Sequence, residues 1–144
     1  MAHCTASDGL QRQLSPSSWD ILAAHMQPFV LDTHQVLMEQ GAHDRTLYFI
    51  ESGMLSVHHE DEHAYVRMAV VGAGCMLGEG AFFSHQPRSA TVQASAPCKL
   101  WCLTPVRFSE LASRYSPVAL ELTMAMGAVM ARRLYNHSRR VAIT

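Results

Sequence analysis

Between Phe29 and Leu103 the apolar residues come in short bursts: Phe29-Val30-Leu31, Val36-Leu37-Met38, Leu47-Tyr48-Phe49-Ile50, Leu55-Ser56-Val57-His58, Tyr65-Val66-Arg67-Met68, Thr91-Val92-Gln93-Ala94 and Lys99-Leu100-Trp101-Cys102-Leu103. Gly41, Gly53, Gly72 and Gly74 punctuate them. Bursts of this length, rich in β-branched and aromatic residues and bounded by turn formers, read as strands. Many short strands at regular spacing predict a β-roll or jelly-roll sandwich of about eight strands.

The flanks have a different texture. Ser15-Pro16, Thr104-Pro105 and Ser116-Pro117 each place a hydroxyl where an N-cap belongs and a proline at the first helical position. The hydroxyl accepts from an amide the helix leaves unpaired, and proline has no such amide to lose. Helices are predicted over residues 16–26 (Trp19, Leu22, Ala23 and Met26 inward), 105–114 (Phe108, Leu111, Ala112) and from Pro117 to about residue 139 (Leu122, Met126, Val129, Met130, Leu134). Helices before and after a strand block make the class α+β. With 144 residues and 49% hydrophobic content, the chain suits one domain, residues 1–144, with the roll over about 28–103 and C-terminal helices over about 105–140.

One segment interrupts the strands: Leu77-Gly78-Glu79-Gly80-Ala81-Phe82-Phe83-Ser84-His85-Gln86-Pro87-Arg88-Ser89-Ala90-Thr91-Val92. It has the parts of an anion site. Gly78 and Gly80 let backbone approach a ligand. A helical turn over about residues 79–84 aims free amides at it. Arg88 offers a two-pronged donor and Ser89 a hydroxyl. Glu79 would repel a bare phosphate, so it must face a donor, and a ribose 2′-hydroxyl beside the phosphate fits.

Gly78-Glu79 followed by Pro87-Arg88-Ser89-Ala90-Thr91-Val92 resembles the phosphate-binding cassette of cyclic-nucleotide-binding domains. Gln40-Gly41, Tyr48-Phe49-Ile50, Gly53 and Gly74-Cys75-Met76-Leu77 follow that family's order, so the resemblance spans roughly residues 19–134. It implies that Glu79 binds the ribose 2′-hydroxyl. It implies that Arg88 and the amides near Gly80, Ala81 and Ala90 bind the cyclic phosphate, with Ser89 touching phosphate or purine. The base would lie against Val70 and Met76, under a lid from the last helix contributed by Arg132 or Arg133. The chain departs from the pattern at His34, where glycine is common, at Leu77, where phenylalanine is common, and at Gly80, where a larger apolar residue is common.

The expected function is a non-enzymatic receptor for cAMP or cGMP that signals through its C-terminal helix. The alternatives are a ligand-free interaction module of the same fold, with Arg88 salt-bridged to Glu79, and a sensor of another small ligand such as haem. No cofactor or metal is expected. Cys98 and Cys102 have no second pair to complete a zinc site. His58, His59 and His63, beside Glu60, Asp61 and Glu62, read as a solvated hairpin, because neighbouring strand residues face opposite sides. His43-Asp44 reads as a loop ion pair. The glycines from Gly72 to Gly78 lack the spacing of a dinucleotide fingerprint. No serine, cysteine or histidine has a recognisable activating partner. A net charge of -1 gives no basic field for nucleic acid, and Arg132, Arg133, Arg139 and Arg140 read as a solvated helix face. The chain stops at Thr144 without a helix-turn-helix, so direct DNA binding is not expected. Nor is a membrane span. The expected partners are a cyclic nucleotide, an effector protein and a second copy bound through the last helix. With no secretory leader at the start, Cys4, Cys75, Cys98 and Cys102 read as free thiols in a cytoplasmic protein.

Overall fold

The structure is a computed structural model that describes residues 2–3 and 14–143. Cys4 and the side chains of Arg139 and Arg140 lie outside the described residues. The strands are β1 (Ala2–His3), β2 (Gln27–Leu31), β3 (Val36–Met38), β4 (Leu47–Ser52), β5 (Met54–Glu60), β6 (Tyr65–Gly72), β7 (Met76–Leu77), β8 (Thr91–Ala94) and β9 (Cys98–Leu103). The helices are α1 (Pro16–Ala24), α2 (Glu79–Ser84), α3 (Pro105–Arg114) and α4 (Ser116–Ile143). One sheet runs β1-β6-β5-β8-β3 and the other β2-β9-β4-β7. Apart from the parallel pair β1/β6, the pairings are antiparallel. The expected α+β roll is present, with α1 before it, α3 and α4 after it and the short α2 between β7 and β8.

Alternation along β4 divides the interior in two. Leu47 and Phe49 turn toward the helices and join Leu22, Met26, Leu103, Leu111, Leu122, Met126 and Val129. Tyr48 and Ile50 turn into the roll, with Leu31, Leu55, Val71, Val92 and Leu100. Successive strand side chains point to opposite faces, so one strand serves both cores. Each fully buried leucine contributes about 1.5–3 kcal/mol. The β4–β5 turn depends on Gly53, whose φ is +103°. An added Cβ there would lie 2.5 Å from the Pro97 carbonyl.

Two of the three expected caps form. The Ser15 side chain accepts from Ser18 N–H at 3.3 Å, and the Thr104 side chain from Arg107 N–H at 3.2 Å. The third differs: α4 starts on Ser116 itself, and the Tyr115 carbonyl accepts from Val118 and Ala119. Tyr115 is all that separates α3 from α4. Ala23 and Leu134, expected inside, are exposed. Conversely Ser18 is buried, because its hydroxyl donates to Glu121 Oε2 and ties α1 to α4.

Candidate functional site

The cassette begins where β7 ends. Gly78 has φ +89° and caps α2 in the left-handed region. A Cβ at Gly78 would lie 2.6 Å from both Arg88 Nη1 and the Thr46 carbonyl. The residue is therefore small because an arginine lies across it. Gly80 is different: a Cβ there meets nothing within 4 Å. Its backbone does not adopt a positive φ, and the space beside it is open.

Arg88 is only 4% exposed. Nη2 donates to Asp44 Oδ2 at 2.9 Å and to the Thr46 carbonyl at 2.8 Å, and Nη1 to the Gly78 carbonyl at 3.3 Å. Its backbone is also held: Arg88 N–H donates to Ala42 O and Gly41 N–H to Arg88 O, both at 2.8 Å. The Gln40-Gly41 turn thus fixes the arginine's position. Its ionic partner is Asp44, not Glu79 as in the ligand-free alternative. Buried Nε has no partner. Asp44, read as part of a local loop pair, makes its ion pair with a residue far along the chain. Burial pushes its carboxyl up, but hydrogen bonds from Arg88 and Thr46 and the charge of Arg88 outweigh this. Its pKa ends below the ordinary value.

Glu79, the first residue of α2, is bound by the last helix. Arg133 Nη1 donates to Glu79 Oε1 at 2.8 Å, and Nη2 to the Met76 carbonyl at 3.4 Å. Of the two arginines named for the lid, Arg133 makes these contacts; Arg132, one position earlier, is half-buried. Ala81 and Ala90 are buried and Ser89 is exposed. The Ser89 carbonyl accepts from His59 Nδ1 at 3.0 Å. The Met76 side chain, 1% exposed, packs in the helix-side core, whereas Val70 is half-buried on β6 in the other sheet. Gly78, Glu79, Arg88, Ser89 and Ala90 therefore gather at one end of the roll, and Asp44, His59 and Arg133 join them. Phe82 anchors α2 edge-to-face on Phe108 of α3 at 5.1 Å. A separate groove of 320 Å³ lies against α2, lined by Arg45, Phe82, Phe83 and Phe108, and includes neither Glu79 nor Arg88.

The histidine hairpin is only partly exposed to solvent. His58 is buried and stacked on Tyr65, with ring centroids 4.7 Å apart, so it is not solvated. Among the described residues no group of three histidine, cysteine, aspartate or glutamate side chains could hold a metal ion. No described helix is long and apolar enough to cross a membrane. Cys98 and Cys102 are free, but Cys75 is disulfide-bonded, which overturns the free-thiol reading at that position. Burial pushes the Cys98 thiol up, partly offset by its bond to the Met54 carbonyl.

Comparison with known proteins adds the following. The cyclic nucleotide-binding domain family matches residues 28–115. The chain is 30% identical over 125 residues to the cAMP-activated global transcriptional regulator CRP of Shigella flexneri, covering 85% of this chain and 57% of the relative. It is 34% identical over 86 residues to the acetyltransferase Pat of Mycolicibacterium smegmatis, covering 60% of this chain and 26% of the relative. It therefore spans little more than half of one of these relatives and about a quarter of the other. Among solved structures, a cyclic nucleotide-binding domain from Methylobacillus flagellatus superposes with a TM-score of 0.85 at 20% identity, over 96% of this chain and 84% of that one. The regulatory domain of Toxoplasma gondii PKA, crystallised with cAMP, gives a TM-score of 0.63 at 28% identity, over 70% and 39%.

Proposed function

The chain belongs to the cyclic nucleotide-binding domain family, generally a ligand-binding regulatory fold, and on that premise we propose that it is a non-enzymatic receptor for a cyclic nucleotide. The observation that carries this is Arg88. A guanidinium 4% exposed, held on one side by Asp44, Thr46 and Gly78, keeps a buried Nε with no partner. Leaving such a donor unpaired costs about 1–3 kcal/mol. An exocyclic phosphate oxygen would satisfy it, and Asp44 would hold the fork in place. Ser89 and the amides near Gly80, Ala81 and Ala90 supply further donors. Glu79 takes the ribose 2′-hydroxyl on one oxygen while Arg133 occupies the other. Met76 lies beneath the cassette, and the Arg132–Arg133 turn of α4 serves as the lid.

The ligand we favour is cAMP over cGMP, by analogy with the relatives whose names specify cAMP. Binding would favour the conformation in which α4 closes, and only to the extent that the nucleotide prefers that state. The output passes to an effector protein, without direct DNA contact by this segment.

Calorimetry with cAMP and cGMP tests the reading. The wild type binds one of them, and Arg88→Lys, which keeps the charge but loses the fork, weakens binding on the order of tenfold to a hundredfold. A variant that folds and binds as tightly as the wild type would remove Arg88 from the site. Failure of the wild type to bind either nucleotide would favour the ligand-free interaction module.

A further inference from the structure

The bond from His59 to the cassette has a consequence for the phosphate donors. Ser89 and Ala90 are joined by a trans peptide. In a planar trans unit the carbonyl of one residue and the N–H of the next point in opposite directions. Whatever holds the Ser89 carbonyl therefore also aims the Ala90 N–H. The holder is His59, reaching across from β5. A carbonyl oxygen can only accept, so Nδ1 carries the proton.

The peptide needs such a hold. Ser89 and Ala90 precede the first residue of β8, and Ser89 is exposed, so the ladder does not fix their plane. His59 stands on firm ground. It pairs with Val66 in the β5–β6 ladder. The next residue, Glu60, is held at both ends by Gln40: Glu60 N–H donates to Gln40 Oε1 at 2.8 Å, and Gln40 Nε2 donates to the Glu60 carbonyl at 2.7 Å. Gln40 N–H in turn donates to Thr91 Oγ1 at 3.0 Å, just after the peptide in question. Were the peptide to turn over, the Ser89 carbonyl would leave His59 and present its lone pairs where the Ala90 N–H had pointed. An anion would meet an acceptor in place of a donor.

We propose that His59 is a positioning residue of the nucleotide site, holding the Ser89–Ala90 peptide so that its N–H faces the cyclic phosphate. This rests on the reading of the cassette as a cyclic-phosphate site. His59 touches no ligand atom itself and acts through one backbone unit.

Two variants and two readouts test it. His59→Ala removes the donor. His59→Asn keeps one, since its amide nitrogen sits near the place of Nδ1. In ligand-free protein, the Ala90 amide resonance in a nitrogen–proton spectrum shifts in His59→Ala and returns toward the wild-type position in His59→Asn. By calorimetry, cAMP affinity falls about twofold to tenfold in His59→Ala and recovers in His59→Asn, while the melting temperature stays near that of the wild type. An unmoved Ala90 resonance, unchanged affinity in His59→Ala, or an Asn variant no better than Ala would each overturn the clamp. Absence of nucleotide binding in the wild type would instead overturn the receptor reading, and the ligand-free resonance tells the two failures apart.

Discussion

On the proposed reading of the cassette, Asp44 sets the position of Arg88 without meeting the ligand itself. A buried guanidinium without a counter-ion would be costly, and Asp44 offsets that cost while facing solvent itself. The carboxyl is held below its usual range, so the folded state binds its proton less readily than the unfolded chain. The stabilisation is therefore complete above the unfolded value near pH 4 and disappears as the pH falls through the lower folded value. Asp44→Asn should melt below the wild type at pH 7, and the gap in melting temperature should close as the pH drops under about 4. A gap of constant size down to pH 3 would mean that the charge of Asp44 does no such stabilising. Arg88 and Glu79 stand out in the sequence as candidates because the resemblance to the cassette sets them around a glycine-rich turn. Asp44 does not, because acidic residues in surface turns are common and nothing local points to a partner 44 positions on. His34 is an intermediate case. Its departure from a glycine pattern is visible in sequence, and the structure gives it φ +74°, the left-handed region glycine would occupy.

Among the elements, those with strong local chemistry were readable. Helix α3 matches the expected bounds because Thr104 and Pro105 define its start, and α2 falls over 79–84 as the cassette required. The strands missed were β7, two residues long, and β1, whose partner lies in β6. Neither carries a periodic signal of its own. Helix α4 was readable as a helix, but not its attachment: one of several arginines binds Glu79, and only the fold selects Arg133. This tie suggests how the element responds to ligand. Glu79 has two oxygens, so a ribose hydroxyl and Arg133 can both be satisfied, and nucleotide and closed helix then support each other. Arg133→Ala should lower cAMP affinity several-fold. Both side chains are partly exposed, which limits a charged hydrogen bond to the order of 1 kcal/mol. Hydrogen exchange over the last turns of α4 should quicken in the same variant. An unchanged exchange pattern would show that the ion pair does not hold the helix.

At the scale of the molecule, α4 has two apolar faces and the fold uses only one. Leu122, Met126 and Val129 pack inward, and Arg133 reaches the cassette from that side. At 3.6 residues per turn, Met124 lies about half a turn around the helix from Arg133. There Leu120 and Leu134 are exposed, and Met124 is 68% exposed. Gly127 and Ala131 lie between them, also exposed, and a Cβ on Gly127 would meet nothing. Residues 120, 124, 127, 131 and 134 repeat at alternating steps of four and three, the spacing of a two-helix seam, with small residues at its middle to let backbones approach. A self-complementary stripe of this kind suits a second copy related by a two-fold axis. If two chains meet there, nucleotide acting on the inner face of α4 would adjust the outer face, and self-association would carry the signal. Sedimentation should find the wild type at twice the chain mass, and Met124→Glu, which buries a charge in the seam without touching the inner core, at the monomer mass. A wild type that stays monomeric at micromolar concentration with saturating cAMP would assign the stripe to a different partner and separate binding from self-association.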